Sequence, residues 1–372
     1  LFPCFSHASE PADMPTVLDW TPAVDPSELV RVIHETIQAG SPVVVPGDCG
    51  YVVLVNPTAA SAQAQLTLLP QPPAILASRA DDAERLGVRV PRVARRLMVR
   101  AWPAPLAIAL SGPATWPANW PPAITELLTA VGPVRFRYPE HPLLDEIIRS
   151  LDQTVLVADT GLPTVEAVLD QLDATDAVAI AAGEDSPGGP PTVVTASEGG
   201  YEVTQPGIFS TDEIEKLAAR LLLFVCTGNT CRSPLAEGLA RKLLAERLNC
   251  SPDELPRRGF WVLSAGVAAS YGSPASEESV AVAQEFGIDL TGHRSRPVNP
   301  QLLAAADDII AMTRSHALTL QTRYPGIGKL PQLLCGDTDL DDPIGASLEV
   351  YRECARTILA QLERFLPEWT GT

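Results

Sequence analysis

The chain contains no lysine before Lys216, no unbroken apolar run near the roughly eighteen residues a membrane span needs, and no internal repeat. These gaps argue against a membrane span and leave arginine as the only permanent side-chain cation of the first half. Positive charge is scarce overall: 27 Lys and Arg face 45 Asp and Glu, a formal net charge of -18 with a pI near 4.7. That balance opposes nonspecific nucleic-acid binding, which depends on neutralising phosphates, while allowing specific contact through a local arginine patch. It also suits basic, arginine-rich protein substrates. Cysteine is sparse and odd in number, seven in all, and Cys4, Cys49, Cys250, Cys335 and Cys354 show no metal-ligand spacing. A disulfide scaffold and a zinc site are disfavoured, no cofactor is expected, and a reducing, cytoplasmic setting is expected. The opening Leu1-Phe2-Pro3-Cys4-Phe5-Ser6 lacks the charged start and long apolar core of a secretory signal, and a first residue other than Met suggests a processed, truncated or wrongly assigned start.

What is present is enough length for two domains, since the chain has 372 residues. Residues 1–14 read as a loose tail, 15–218 as a first domain and 219–372 as a second. In the first, Ser27 to Ile37 has helical periodicity, while Pro42 to Val45, Val52 to Val55, Leu106 to Leu110, Val134 to Phe136, Val155 to Ala158 and Val178 to Ala181 are short apolar strand patterns between helices and Pro-rich loops. The class is mixed α/β. Ser186-Pro187-Gly188-Gly189-Pro190-Pro191 reads as a loop within this domain, and Glu213 to Arg220 as a short helical connector.

The most specific signal is Val225-Cys226-Thr227-Gly228-Asn229-Thr230-Cys231-Arg232-Ser233-Pro234. Leu221 to Val225 is a buried-strand pattern that delivers Cys226 to a sheet end. Gly228 and Asn229 readily take the positive φ that curls a backbone around an anion with its N–H groups inward. Pro234 suits a first helical turn, Leu235, Leu239, Leu243 and Leu248 follow at helical spacing, and Ser233 is the natural N-cap. A helix N-terminus therefore faces the same anion, Arg232 adds a bidentate fork, and the Cys226 sulfur lies beneath the phosphorus. Each amide or hydroxyl donor to a charged acceptor supplies ~1.5–3 kcal/mol and a helix terminus ~0.3–2, so such a ring can hold a thiolate without a neighbouring His. Protonating a leaving group needs an acid on another loop. Asp342, in Asp341-Asp342-Pro343 ahead of a helical face of Leu348, Tyr351, Ala355, Ile358, Leu362 and Phe365, is preferred over Asp337, Asp339 and Asp341.

From about Leu221 onward these motifs, with Leu263-Ser264-Ala265-Gly266 and Gly292-His293-Arg294-Ser295, resemble the low-molecular-weight protein tyrosine phosphatases. The resemblance implies a three-layer α/β/α domain on a parallel sheet. It makes Cys226 the nucleophile of a phosphocysteine, Arg232 the phosphate clamp and Asp342 the acid and then the base toward water. Thr227, Gly228, Asn229, Thr230, Cys231 and Ser233 form the phosphate loop, and Cys226 with Cys231 a reversible redox guard. Thr230 stands where tyrosine-specific members carry an aliphatic residue, and resembles the bacterial protein-arginine phosphatases. Ile344 and Gly345 stand where adjacent aromatics would sandwich a phenyl ring. A carboxylate such as Asp341 or Asp342 pairs with a guanidinium, so a phosphoarginine protein substrate is favoured over phosphotyrosine. Tyr271 offers another aromatic wall, which keeps phosphotyrosine open.

The first domain resembles the YrdC-type threonylcarbamoyl-adenylate synthases through Val43-Val44-Val45-Pro46-Gly47-Asp48-Cys49-Gly50-Tyr51, Trp102-Pro103-Ala104-Pro105-Leu106, Arg135-Phe136-Arg137-Tyr138-Pro139, Ala158-Asp159-Thr160 and Pro191-Thr192-Val193-Val194. Every functional motif is altered, and of the family's basic Lys-x-Arg segment only Arg79 remains nearby. A degenerate domain that binds a nucleotide, RNA or protein partner, or serves as a scaffold, is the expectation. The alternative is a threonylcarbamoyl-adenylate synthase or RNA-binding tRNA-modification protein with an accessory phosphatase domain. Arsenate reduction is weaker, because Cys250, Cys335 and Cys354 reveal no thiol relay.

Overall fold

Short apolar runs become strands and longer amphipathic runs helices, and the computed structural model describes residues 15–21, 25–113, 115–172, 176–182, 189–326 and 329–370. The tail read over 1–14 and Ser186 to Gly188 of the Pro-rich loop lie outside the described residues. Contacts divide the chain into Leu1–Thr211 and Asp212–Thr372, ahead of the boundary read near Ala218. The helix Thr211–Ala218 is tied to the second unit by Arg257, which pairs with Asp212 at 2.9 Å and Glu215 at 3.1 Å.

Among its described residues the first unit holds ten strands: β1 Thr16–Asp19, β2 Val43–Gly47, β3 Gly50–Val55, β4 Ala74–Leu76, β5 Leu106–Leu110, β6 Val134–Arg137, β7 Leu156–Asp159, β8 Val178–Ala181, β9 Thr192–Ser197 and β10 Gly200–Gln205. They form one mixed sheet in the order β1-β8-β2-β3-β7-β4-β6-β5-β9-β10. Nearly every residue of the central strands is buried, as a sheet covered on both faces requires. One core lies between this sheet and the helices Ser27–Ala39 and Pro142–Ser150, through Ile33, Ile37, Leu54, Leu144 and Ile147.

Among its described residues the second unit has four parallel strands, β11 Arg220–Cys226, β12 Phe260–Gly266, β13 Asp308–Ala311 and β14 Gln332–Leu333, in the order β12-β11-β13-β14. Alternation along β11 sets its layers. Leu222, Phe224 and Cys226 face a core built on the helices Arg232–Leu248 and Leu348–Thr370, through Leu235, Leu239, Ile358 and Leu362. Leu221, Leu223 and Val225 face the opposite core, with Leu303 and Leu320 from the helices Pro300–Ala305 and Arg314–Arg323. The result is a three-layer α/β/α unit whose central strand ends on Cys226.

Two local expectations change. Arg220, read as the end of the helical connector, opens β11. Cys231 rather than Ser233 holds the N-cap position of the Arg232–Leu248 helix, without a side-chain cap. Ser233 lies in the first turn with its hydroxyl turned to the Cys226 sulfur, which removes it from capping.

Candidate active site

The chain leaves β11 at Cys226 and must turn within five residues to start the next helix. Asn229 makes the turn with φ 56, one of only two non-glycine residues at positive φ among the described residues. Its side chain then occupies the middle of the loop, fully buried. Nδ2 donates to Ser233 Oγ at 2.9 Å and Ser264 Oγ at 2.8 Å, and Oδ1 accepts from the Arg296 N–H at 2.9 Å. Ser264 passes its own proton to Glu237 at 2.6 Å, and His293 Nε2 lies 2.8 Å from the Asn229 carbonyl. Every polar atom of Asn229 is thus engaged, and the loop is held from inside.

The sulfur of Cys226, 3 % exposed, receives the Asn229 N–H at 3.2 Å and lies 2.9 Å from Ser233 Oγ. Gly266 explains its own place in the second-strand motif. A Cβ there would stand 2.4 Å from the Thr227 carbonyl oxygen and 2.9 Å from the Asn229 nitrogen, so only glycine lets β12 lie against the loop.

Arg232 is 4 % exposed although charged, and both terminal nitrogens of its guanidinium have partners. Nη1 donates to the Leu340 carbonyl at 3.1 Å, while Nη2 pairs with Asp342 and reaches Thr227 Oγ1 at 3.5 Å. Asp342 stays 41 % exposed in its side chain, with Oδ1 accepting from the Ile344 N–H at 3.3 Å. A carboxyl more than a hundred residues away in sequence is therefore brought to the loop's guanidinium.

Thr230 turns its hydroxyl to within 3.6 Å of the Cys231 sulfur. The Cys231 thiol also lies 3.5 Å from Ser276 Oγ and 3.5 Å from the Tyr351 hydroxyl, in a cluster with Val282 and Ala355, whereas Cys226 packs in the main core. Burial and then the Cys231 contact push the Tyr351 phenol up to about 12. Ile344 and Tyr271 are largely exposed.

His316 was not anticipated. It is buried on the Arg314–Arg323 helix, its Nε2 is 2.8 Å from Thr227 Oγ1, and burial and then the Arg232 charge lower its pKa to about 4. Glu237, Ser264 and His293 were also unassigned. Ser264 and His293 fell inside motifs already singled out, but nothing in the sequence pointed to His316.

Residues 221–370 match the family described as low molecular weight phosphotyrosine protein phosphatase. A protein-arginine-phosphatase of Geobacillus stearothermophilus is 36% identical over 148 residues, 38% of this chain and 91% of that protein. The chain belongs to the low molecular weight phosphotyrosine protein phosphatase family. A protein-arginine-phosphatase of Bacillus subtilis is 35% identical over 39% of this chain and 93% of its own length. A probable low molecular weight protein-tyrosine-phosphatase, EpsP of Ralstonia solanacearum, is 30% identical over 40% of this chain and 93% of its own length.

Beside this phosphatase unit, residues 35–207 match the Sua5, YciO and YrdC family, described as telomere recombination. There Arg137 is wholly buried, with its guanidinium between Asp48 and Asp159 and donating to the Ala104 carbonyl. Burial works against its charge, and the Asp159 and Asp48 carboxylates outweigh burial. Asp48, Cys49 and Asp159 have the donor types of a cation site, with ligand atoms within 4.8 Å of one another, but Arg137 already supplies the cation. Burial first of all pushes the Cys49 thiol up. Arg79 stays largely exposed, in ion pairing with Asp82 at 3.8 Å, and Arg135 reaches Gln205 Oε1 at 3.5 Å.

Proposed function

We propose that the C-terminal unit removes phosphoryl groups from protein side chains through a phosphocysteine on Cys226, with phosphoarginine favoured over phosphotyrosine. The observation that carries this is a sulfur that receives the Asn229 N–H and lies 2.9 Å from Ser233 Oγ, beside a loop whose Arg232 is paired with Asp342. The Cys226 thiolate attacks phosphorus, the bond to the departing nitrogen or oxygen breaks, and Asp342 gives that atom its proton. Asp342 then takes a proton from water, whose oxygen displaces the sulfur as phosphate forms. Arg232 and the amides of Thr227 to Ser233 bind the equatorial oxygens throughout. Substrate entry exchanges the Asp342 partner of Arg232 for phosphate, which frees the carboxyl for proton transfer. Nucleophile, clamp and acid are all side chains, so the scheme uses no cofactor.

The preference rests on the small polar Thr230, on Ile344 in place of an aromatic wall, and on the two relatives named as arginine phosphatases. For the N-terminal unit we propose lost synthase chemistry, because Asp48 and Asp159 already neutralise the buried arginine that an anionic substrate would need. A nucleotide or RNA partner would use the cavity of about 630 Å³ beside Arg79, Arg85 and Arg149. The free thiols suit a reducing, cytoplasmic setting, and no described helix is long and apolar enough to cross a membrane.

Turnover of phosphoarginine and phosphotyrosine peptides, measured side by side, tests the reading. Cys226→Ser should abolish both, Asp342→Asn should hurt the poorer leaving group more, and Thr230→Ile should shift preference toward phosphotyrosine. An unchanged preference in Thr230→Ile rejects the specificity argument. Pyrophosphate release dependent on ATP, threonine and bicarbonate would overturn the degenerate reading of the first unit.

A further inference from the structure

We propose that His316 is a positioning residue that aims the hydroxyl of Thr227 into the phosphate loop, making Thr227 a side-chain donor to the bound phosphoryl group. The inference rests on the reading of that loop as an oxyanion cradle.

Hydrogen-bond accounting carries it. Thr313 caps the Arg314–Arg323 helix by accepting the His316 backbone N–H at 3.3 Å, and its Oγ1 lies 2.9 Å from His316 Nδ1. Among the described residues the Thr313 hydroxyl has no other acceptor, so its proton goes to Nδ1, which must be unprotonated. With the Thr313 proton on the Nδ1 side, a neutral imidazole carries its ring proton on Nε2, 2.8 Å from Thr227 Oγ1, and the relay has it donate there. Thr227 Oγ1 also lies 3.5 Å from Arg232 Nη2. Two donors converge on that oxygen, so the hydroxyl's own proton must point elsewhere. Thr227 follows Cys226 directly and is exposed at the loop, where an oxyanion is the acceptor at hand. The groups that face His316 support the neutral form: burial first, then Arg232, lower its pKa to about 4 against the weaker pull of Asp342 and Asp339. A cationic imidazole would present a proton on Nδ1 as well and break the relay from Thr313.

A buried histidine that merely propped the loop would be satisfied by the same distances, so the test separates the two. Hydrolysis of para-nitrophenyl phosphate and its competitive inhibition by inorganic phosphate are measured for wild type, Thr227→Val, Thr227→Ser, His316→Phe, His316→Gln and the Thr227→Val/His316→Phe double variant, each checked for a native melting transition. Thr227→Val should weaken phosphate inhibition by roughly ten- to a hundredfold, the size of one hydrogen bond to a charged group, while Thr227→Ser stays near wild type. His316→Phe should cost a similar factor, the double variant no more than the worse single one, and His316→Gln, whose amide N–H can stand in for Nε2–H, should recover most of it. If His316→Phe does not fold, the Gln variant and the Val and Ser pair decide. Additive losses, or undiminished phosphate inhibition in Thr227→Val, overturn the inference while leaving the cradle intact. A wild type that neither turns over the ester nor responds to phosphate removes the cradle, and this inference with it.

Discussion

Replacing Asn229 by alanine removes three side-chain hydrogen bonds at once and leaves the backbone in a left-handed conformation that alanine dislikes. Ser233 and Ser264 retain other partners, the Cys226 sulfur and Glu237, but the Arg296 N–H loses its acceptor. Each of the three lost bonds is worth about 0.5–1.5 kcal/mol net, and the part-buried Arg296 N–H turns to water instead. With a left-handed cost of about 1 kcal/mol, the total is ~2.5–5.5 kcal/mol for the second unit. Since the chain folds as two units, a single melting curve is the wrong assay. Amide exchange of Leu222 to Val225 on buried β11 reads the opening of this unit alone, and should quicken by about a hundredfold or more. Asn229→Gly loses the same side chain but not the φ strain, and should be ~1 kcal/mol better than alanine. Exchange within threefold of wild type in Asn229→Ala, or a glycine variant worse than alanine, would refute the view that this side chain holds the loop.

Gly266→Ala drives a methyl into the Thr227 carbonyl at 2.4 Å, and should lower kcat/KM by about a hundredfold or more by displacing the loop, while Gly238→Ala, with contacts of 3.2 Å to a flexible Ile288, should be far milder. Trp369 is 4 % exposed, packs at a tilt against Phe260 with ring centres 5.1 Å apart, lies under the Arg220 guanidinium at 4.8 Å and donates to Asp308 at 2.7 Å; Trp369→Ala should cost ~3–5 kcal/mol in denaturant unfolding of the second unit. His141 caps the Pro142–Ser150 helix through an unprotonated Nδ1, and burial, opposed by Asp145 and Asp48, lowers its pKa from 6.5 to about 4. The unfolded chain therefore binds the extra proton first, so the first unit keeps its stability above pH 6.5 and loses on the order of 2 kcal/mol as pH falls toward 4, allowing for partial exposure. A His141→Gln variant whose stability declines as steeply over that range contradicts the assignment.

The loop from Cys226 to Arg232 was legible as a turn between strand and helix because its signals are contiguous: an apolar strand, a turn that tolerates positive φ, an arginine and a helix start follow one another within a dozen residues, and the sheet supplies only their support. The same holds for most first-unit strands, whose apolar runs reappear nearly where the pattern placed them, as at Leu106–Leu110 and Val178–Ala181. Short or polar strands such as β4 and β10 carried no such signal, since cross-strand pairing rather than side-chain pattern makes them strands. Asp342 could be nominated only by its proline and by the need for an acid; its pairing with Arg232 required the β13 side of the sheet to bring the 340s loop to the start of the Arg232–Leu248 helix.

Sequence alone determined which atoms could do chemistry here and the local backbone that presents them, because propensity, periodicity and turn stereochemistry act over a few residues. Tertiary structure decided which of those atoms meet. It brought His316 to Thr227 across 89 residues and set Asp48 and Asp159 around Arg137. Burial then made those meetings consequential, since a charge or imidazole removed from water must take its partners from the groups the fold places beside it.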